Sequence, residues 1–234
     1  MKDLENVEWS FYELPNIPIY ETKLPKDMLD TLWGYIGKAT DRLNHKLAGN
    51  IDESLILEDV EDTLLLFLTP VIERYLNTIR VKISDYDKIS SELKLETLWV
   101  NYQKQHEFNP NHNHFGLISF VIWMKIPTDW REQHEIPFAK NSNHPVTSDF
   151  QFTYTDIIGH VQDYSIPMDS DKEGVILLFP SRLRHQVYPF YDCDKQRISI
   201  SGNLYIDVLP EEKPMTTNIH NQQSDIIRNI VEGK

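Results

Sequence analysis

Between Arg197 and Ile206 the chain reads RISISGNLYI, and apolar and polar residues alternate with a period of two. Successive side chains on a strand point to opposite faces, so this period predicts a β-strand with two unlike sides. Ile198, Ile200, Leu204 and Ile206 share one face, while Arg197, Ser199, Ser201, Asn203 and Tyr205 share the other. The apolar face can pack under other elements. The polar face must meet either bulk water, as on a solvated edge strand, or a polar cavity.

Other runs upstream obey the same period. LKLETLWVNYQ, from Leu93, sets Leu98, Val100 and Tyr102 on one face. Gly116 to Ile126 is apolar on both sides, as in a strand covered on both faces. Asp149 to Asp156 alternates, and GVILLFP (Gly174 to Pro180) is a short apolar strand after a turn glycine. Many strands with few helices between them predict antiparallel pairing, hence a sandwich or barrel. No glycine-rich phosphate loop or nucleophile elbow appears, which argues against nucleotide-binding and α/β-hydrolase folds. Asp129 to Ser148 is polar, carries Pro137 and Pro145, and predicts a long loop; such loops often serve as lids or binding loops.

The first ninety residues have a helical period instead. After an extended opening, Pro25 stands where a helix can begin. Met28, Leu29, Leu32, Trp33, Ile36 and Leu43 predict an amphipathic helix running to about Leu47, with Ala48, Gly49 and Asn50 as its stop. A second helix is expected from Glu58 and Asp59, with Val60, Leu64, Phe67, Leu68, Ile72, Tyr75 and Leu76 on one face and Arg74 and Arg80 near its end. Pro70 should kink or split it. These two helices are expected to cover one face of the sheet. The whole is a mainly β (α+β) chain: one domain over residues 1–210, with helical support at 24–90 and a barrel at 91–208, then a polar tail at 211–234.

Composition narrows the partners. The formal net charge is −13, so the chain repels phosphate and gives no reason to expect nucleic acid or an anionic membrane surface. The one cysteine, Cys193, lies between Asp192 and Asp194, which disfavour its thiolate. It can form no intrachain disulfide, which fits a reducing compartment. The apolar runs are far shorter than a membrane span and the first residues carry no apolar leader. A cytoplasmic protein is expected, in the host cytoplasm if the source is viral.

The chemistry-bearing residues cluster late in the chain. NPNHNHFG places His112 and His114 two apart, so on an extended chain both imidazoles aim at one point, as a metal taking nitrogen ligands requires. Two surface histidines in a polar loop would look the same. His185 follows GVILLFPSRLR and could complete a set of three from another strand. Arg197, on the polar face of the last strand, could hold a carboxylate by a two-pronged contact, with Ser199 beside it. His106 is separated from the pair by a loop. His45, His134, His144, His160 and His220 are ordinary surface candidates, with His134 or His144 able to reach the mouth of a site.

WVNYQ, HNHFGLISFVIWMKIP, EGVILLFPSRLRHQVYP and RISISGN together resemble the iron(II)/2-oxoglutarate-dependent oxygenases, most of all those common in tailed-phage genomes and related to the prolyl-hydroxylase-like group. The resemblance runs from about Leu98 to Asn203. It implies a double-stranded β-helix, or jelly roll, with the N-terminal helices packed on one sheet. It implies iron(II), 2-oxoglutarate and dioxygen as cofactor and cosubstrates. His112 and His185 map to iron ligands, Arg197 to the residue that binds the far carboxylate of 2-oxoglutarate, Ser199 to its hydroxyl partner, and Tyr102 to a further cosubstrate contact. No catalytic residue beyond the ligands is implied. The family at large has Asp or Glu where this chain has His114. With His114 as third ligand the site would be a three-histidine one. The expected reaction is hydroxylation of an unactivated C–H in a peptidyl or small-molecule substrate. A three-histidine cupin dioxygenase without 2-oxoglutarate is the rival enzyme, although Phe115 to Met124 holds no cupin-type glutamate. A jelly-roll binding or virion module without turnover is the rival non-enzyme.

Overall fold

A computed structural model of the chain describes residues 17–59, 62–78 and 91–208. The elements run β1 (Tyr20–Lys23), α1 (Lys26–Ile36), β2 (Ser54–Ile56), α2 (Thr63–Thr78), β3 (Ser91–Gln103), β4 (Asn109–His112), β5 (Ile118–Lys125), α3 (Trp130–His134), β6 (Phe150–Thr155), β7 (Val161–Ile166), β8 (Val175–Pro180), β9 (Arg184–Val187) and β10 (Arg197–Val208). The strands form two antiparallel sheets. One has the order β1-β8-β5-β10-β3-β2, the other β4-β9-β6-β7. Successive strands from β3 to β10 are thus dealt between two facing sheets, and the pairing order is that of a double-stranded β-helix, the jelly roll.

The larger sheet is covered on both faces, and this explains the sequence pattern. One face carries Leu98, Val100, Ile122, Ile176, Leu178, Ile200 and Leu204, packed against Leu32 and Ile36 of α1 and Leu64, Leu68, Ile72 and Tyr75 of α2. The other carries Val121, Trp123, Leu177 and Phe179, packed against Phe150 and Phe152 of the smaller sheet. β5 and β8 contribute to both cores, so they cannot alternate and are apolar throughout. β10 has its apolar phase under the helices, and its polar phase begins at Arg197 inside the sandwich. Gly202 faces Phe120 across β10 and β5. A side-chain carbon there would overlap the Phe120 ring, so only glycine lets the two strands close over it.

Three expectations are corrected. The first helix ends at Ile36, not near Leu47. Gly37 caps it, donating to the Trp33 carbonyl, and the chain then turns back. The Asn44 amide binds the carbonyls of Ile51 and Asp52, a local bond that competes with helix, and Leu43 N–H goes to the Ser54 carbonyl. Leu43 is therefore buried from a turn, not from a helix face. The second helix is not split at Pro70 and runs unbroken from Thr63 to Thr78. Leu66, whose carbonyl loses its usual donor to the proline, is exposed, where water can serve it. This helix begins at Thr63 rather than at Glu58 and Asp59, and the Asp59 carboxylate reaches forward to its first turn, accepting from the N–H groups of Leu64 and Leu65 at 2.8 and 2.9 Å. Val60 and Arg80 lie outside the described residues, as do the expected polar tail and His220.

The third correction concerns residues 129–148. This stretch contains α3, capped by Asp129, and is pinned to the sandwich. Buried Gln133 donates to the Tyr191 carbonyl and accepts from the Tyr191 N–H, both at 2.9 Å. Thr147, Ser148 and Asp149 are buried as well. β7 was not expected from the sequence. It is an edge strand, mostly exposed, and its VQDYSI carries no two-sided pattern.

Candidate metal and cosubstrate site

β4 and β9 pair so that His112 stands opposite His185. Their rings lie 4.3 Å apart, centroid to centroid. His114, just past the end of β4, brings its ring to 4.9 Å from His112 and 5.0 Å from His185. One ring nitrogen from each lies within 4.8 Å of the others, so the three could hold a metal ion.

Hydrogen bonds select the nitrogens. Nδ1 of His112 lies 2.7 Å from the Pro110 carbonyl, and Nδ1 of His185 lies 3.0 Å from the Leu183 carbonyl. A carbonyl only accepts, so Nδ1 carries the proton in both rings and Nε2 keeps its lone pair. The surroundings hold the rings neutral. Burial pushes all three below the ordinary histidine range: His112 downwards, His114 to about 4 with His112 adding to the effect, and His185 well down. His185 is buried against Phe179 at 4.8 Å and stacked on Phe150 at 5.7 Å. A neutral imidazole with a fixed free nitrogen is the form that binds a metal.

Arg197, the first residue of β10, lies in the same pocket and is only 3 % exposed. Its Nη2 donates to the backbone carbonyl of Ser148 at 2.8 Å and to the Ser148 hydroxyl. Nε and Nη1 are buried without a partner among the described residues. Burial lowers the guanidinium to about 10, and the nearby Asp149 charge opposes that, so it stays cationic at neutral pH. A buried cation with unused donors is costly unless an anion completes it. The pocket therefore fits a small molecule with a carboxylate at one end and metal-binding oxygens at the other.

Ser199 and Ser201 follow Arg197 on the same face of β10, and Trp123, opposite Ser199 on β5, closes one side. Tyr102 is not there. It points to the other face of β3, into the helix-covered core beside Ile198. The residues of β3 that line the pocket are Trp99, Asn101 and Gln103. The strand period sets Tyr102 on one face with Leu98 and Val100, where it lies; the cosubstrate contact is implied by the resemblance alone. The opposite phase, W-x-N-x-Q, was the available signal. Asn101 and Gln103 are buried and fixed: Asn101 accepts from the Ser54 hydroxyl at 2.7 Å, and Gln103 donates to the Glu107 carbonyl at 2.6 Å. Ser148 was also missed, and nothing in its local sequence marks it.

The remaining histidines among the described residues stay out of the triad. His106 is exposed, at a φ of 71°, with its ring 5.1 Å from Tyr191. His45, His144 and His160 are exposed. His134 lies behind the arginine, its Nε2 3.0 Å from a carboxylate oxygen of Asp149.

Residues 97–203 match the family model described as "Putative 2OG-Fe(II) oxygenase". This stretch spans β4, β9 and all three histidines, Arg197 and Ser199. By this match the stretch is similar to the 2OG-Fe(II) oxygenases. The family uses iron(II), 2-oxoglutarate and dioxygen. No curated protein matches the chain. Among solved structures it is similar to the viral collagen prolyl hydroxylase vCPH of Paramecium Bursaria Chlorella virus-1 in its 2OG complex, at 12% identity and a TM-score of 0.45, covering 80% of this chain and 94% of that one. It is similar to a Pseudomonas putida prolyl-4-hydroxylase at 13% identity and 0.42, covering 80% and 91%. It is also similar to the α-ketoglutarate-dependent epimerase SnoN of nogalamycin biosynthesis at 12% and 0.48, covering 84% and 82%. Among the described residues no helix is long and apolar enough to cross a membrane.

Proposed function

We propose that this oxygenase holds iron(II) through Nε2 of His112 and His185 together with His114, binds the far carboxylate of 2-oxoglutarate on Arg197, and hydroxylates an unactivated C–H of a peptidyl or small-molecule substrate. The observation that carries this reading is the pairing of the neutral, converging imidazoles with a buried guanidinium that has two unused donors. A three-histidine cupin dioxygenase would give Arg197 nothing to hold. A binding module without turnover would have no use for a desolvated charge beside a metal-ligand set.

Iron(II) with 2-oxoglutarate and dioxygen supplies an oxidant able to break such a C–H bond, with succinate and carbon dioxide as co-products. The chain's own residues do the rest. Arg197 is buried among Ser148, Asp149 and Phe190, so its charge acts at low dielectric. Ser199 adds a hydroxyl donor two residues along the same strand face. Trp123, Phe150 and Phe179 keep water from the inner side of the triad. On the outer side a groove of about 320 Å³ opens onto His112 and His114 between Trp99, Phe115, Lys46 and Asn203, which gives a substrate a way to the open side of the site. Three neutral histidines leave the metal with both of its positive charges, where a carboxylate ligand would have left one. A single cysteine, free in this fold, fits a reducing cytoplasmic setting.

The test is anaerobic reconstitution with iron(II), then titration with 2-oxoglutarate, watched for the weak visible metal-to-ligand charge-transfer band. A saturating band in the native protein that is lost at the same concentrations in Arg197→Ala is the expected result. Bound iron without a band would favour the cupin chemistry, and no bound iron would favour a module without turnover.

A further inference from the structure

The unusual backbone of Ser148 is explained by what it does to Arg197. Ser148 is fully buried, immediately before Asp149 and β6, and has a φ of +76°. That left-handed region is uncommon for a residue with a side chain and must be stabilised by its surroundings. Here the surroundings are specific. Its N–H donates to the Pro189 carbonyl at 2.9 Å, and its hydroxyl lies 3.3 Å from the Thr128 hydroxyl. Its carbonyl and its hydroxyl both accept from one nitrogen, Nη2 of Arg197. One terminal nitrogen of the guanidinium is thereby tied to a single buried residue. Nη1 and Nε are left as unused donors in the pocket shared with the histidines. The Phe190 ring, 5.3 Å from the guanidinium carbon, limits movement from one face. Asp149, held by His134 at 3.0 Å, lends the buried cation negative charge without occupying those donors.

We propose that Ser148 is a positioning residue that fixes the guanidinium of Arg197 and so sets the length of 2-oxo diacid the pocket accepts. This rests on the reading that Arg197 takes the far carboxylate. A guanidinium on a long side chain could otherwise adjust its depth to diacids of different length. Tied at Nη2, it stands at one distance from the histidines, so a diacid one carbon longer than the one that distance fits must buckle.

The experiment compares binding of 2-oxoglutarate and 2-oxoadipate to the iron(II) form, without oxygen, in the native protein, Ser148→Gly and Arg197→Ala. Glycine adopts the same φ freely, removes the hydroxymethyl side chain and keeps the backbone carbonyl that Nη2 also binds. The expected result for Ser148→Gly is unchanged iron stoichiometry, about ten-fold weaker 2-oxoglutarate binding, as for one lost bond to a charged group, and a preference over 2-oxoadipate narrowed by a similar factor. A merely structural defect would weaken both diacids alike and leave the preference in place, which overturns the proposal. Native affinity and preference in Ser148→Gly, with both diacids lost in Arg197→Ala, overturns it while leaving the function intact. Native affinity in Arg197→Ala removes the reading beneath it as well. If Ser148→Gly does not fold, Thr128→Val decides the matter: it frees the Ser148 hydroxyl and should narrow the preference in the same direction, and an unchanged preference there also overturns the proposal.

Discussion

His112 and His185 are directly paired across β4 and β9, with ring centroids 4.3 Å apart and each Nδ1 turned to a backbone carbonyl two residues earlier in the chain. The two histidines are thus presented by one ladder, with the same tautomer and free nitrogens on the same side. Most of what the site should do under mutation follows from that arrangement.

Replacing His185 removes the most buried member of the set. In His185→Ala iron affinity should fall by more than about 100-fold, since even partners one layer further out from a metal are worth 10–100-fold. Competition with a coloured chelator measures it. Full iron stoichiometry at native affinity would take His185 out of the ligand set.

The resemblance implies a carboxylate at the position of His114, whose ring meets Trp99 at 5.8 Å. In His114→Asp the two remaining histidines and a carboxylate should still bind iron(II), within about ten-fold of the native affinity, the gain in charge attraction offsetting the cost of burying an anion. Iron titration of the variant gives the answer. Complete loss of binding would mean that the pocket tolerates imidazole alone at this position.

Tyr102 lies on the helix side of β3, so its hydroxyl has no access to the cosubstrate pocket. Tyr102→Phe should bind 2-oxoglutarate with native affinity and change stability by no more than about 1 kcal/mol. The charge-transfer titration reads the first and thermal or denaturant unfolding the second. A substantially weaker cosubstrate complex would place the phenol in the site after all.

The pH dependence of the metal-free protein follows from the same burial. An unfolded histidine titrates near 6.5, whereas the folded triad resists protonation, His114 down to about 4. Between these values the unfolded state binds more protons, so stability should be full above about 6.5 and should fall as pH drops toward about 4. Asp149 opposes this. Burial raises its carboxyl from 3.8 to about 6, so in that window the folded state binds more protons and lower pH relieves a penalty. Asp149→Asn removes the opposing contribution, and its melting temperature should therefore decline more steeply than the native one between pH 6.5 and 4.5. Equal slopes in the two proteins would deny Asp149 that role.

The sequence by itself determined the strand phases and the kinds of group available. The two-sided pattern of β10 requires an apolar cover and a polar interior, and Arg197 can stand only on the polar side. The unbroken apolar runs of β5 and β8 require burial on both faces. H-x-H, the late histidine and the arginine supply a ligand set and an anion partner, and the spacing of their motifs marks the oxygenase region. Tertiary structure decided which of these groups meet. Leu43 belonged to the helical period yet is buried from a turn, because Asn44 captures the carbonyls of Ile51 and Asp52. Tyr102 shares its phase with Leu98 and Val100, and only the two-layer packing tells which phase faces the site. Ser148 and Asp149 reach Arg197 across a long connection, where no period applies and position is set by buried hydrogen bonds. Local spacing fixes direction along one strand, because side chains there alternate. Proximity between strands is fixed by register and by which face is desolvated, and those are properties of the assembled sandwich.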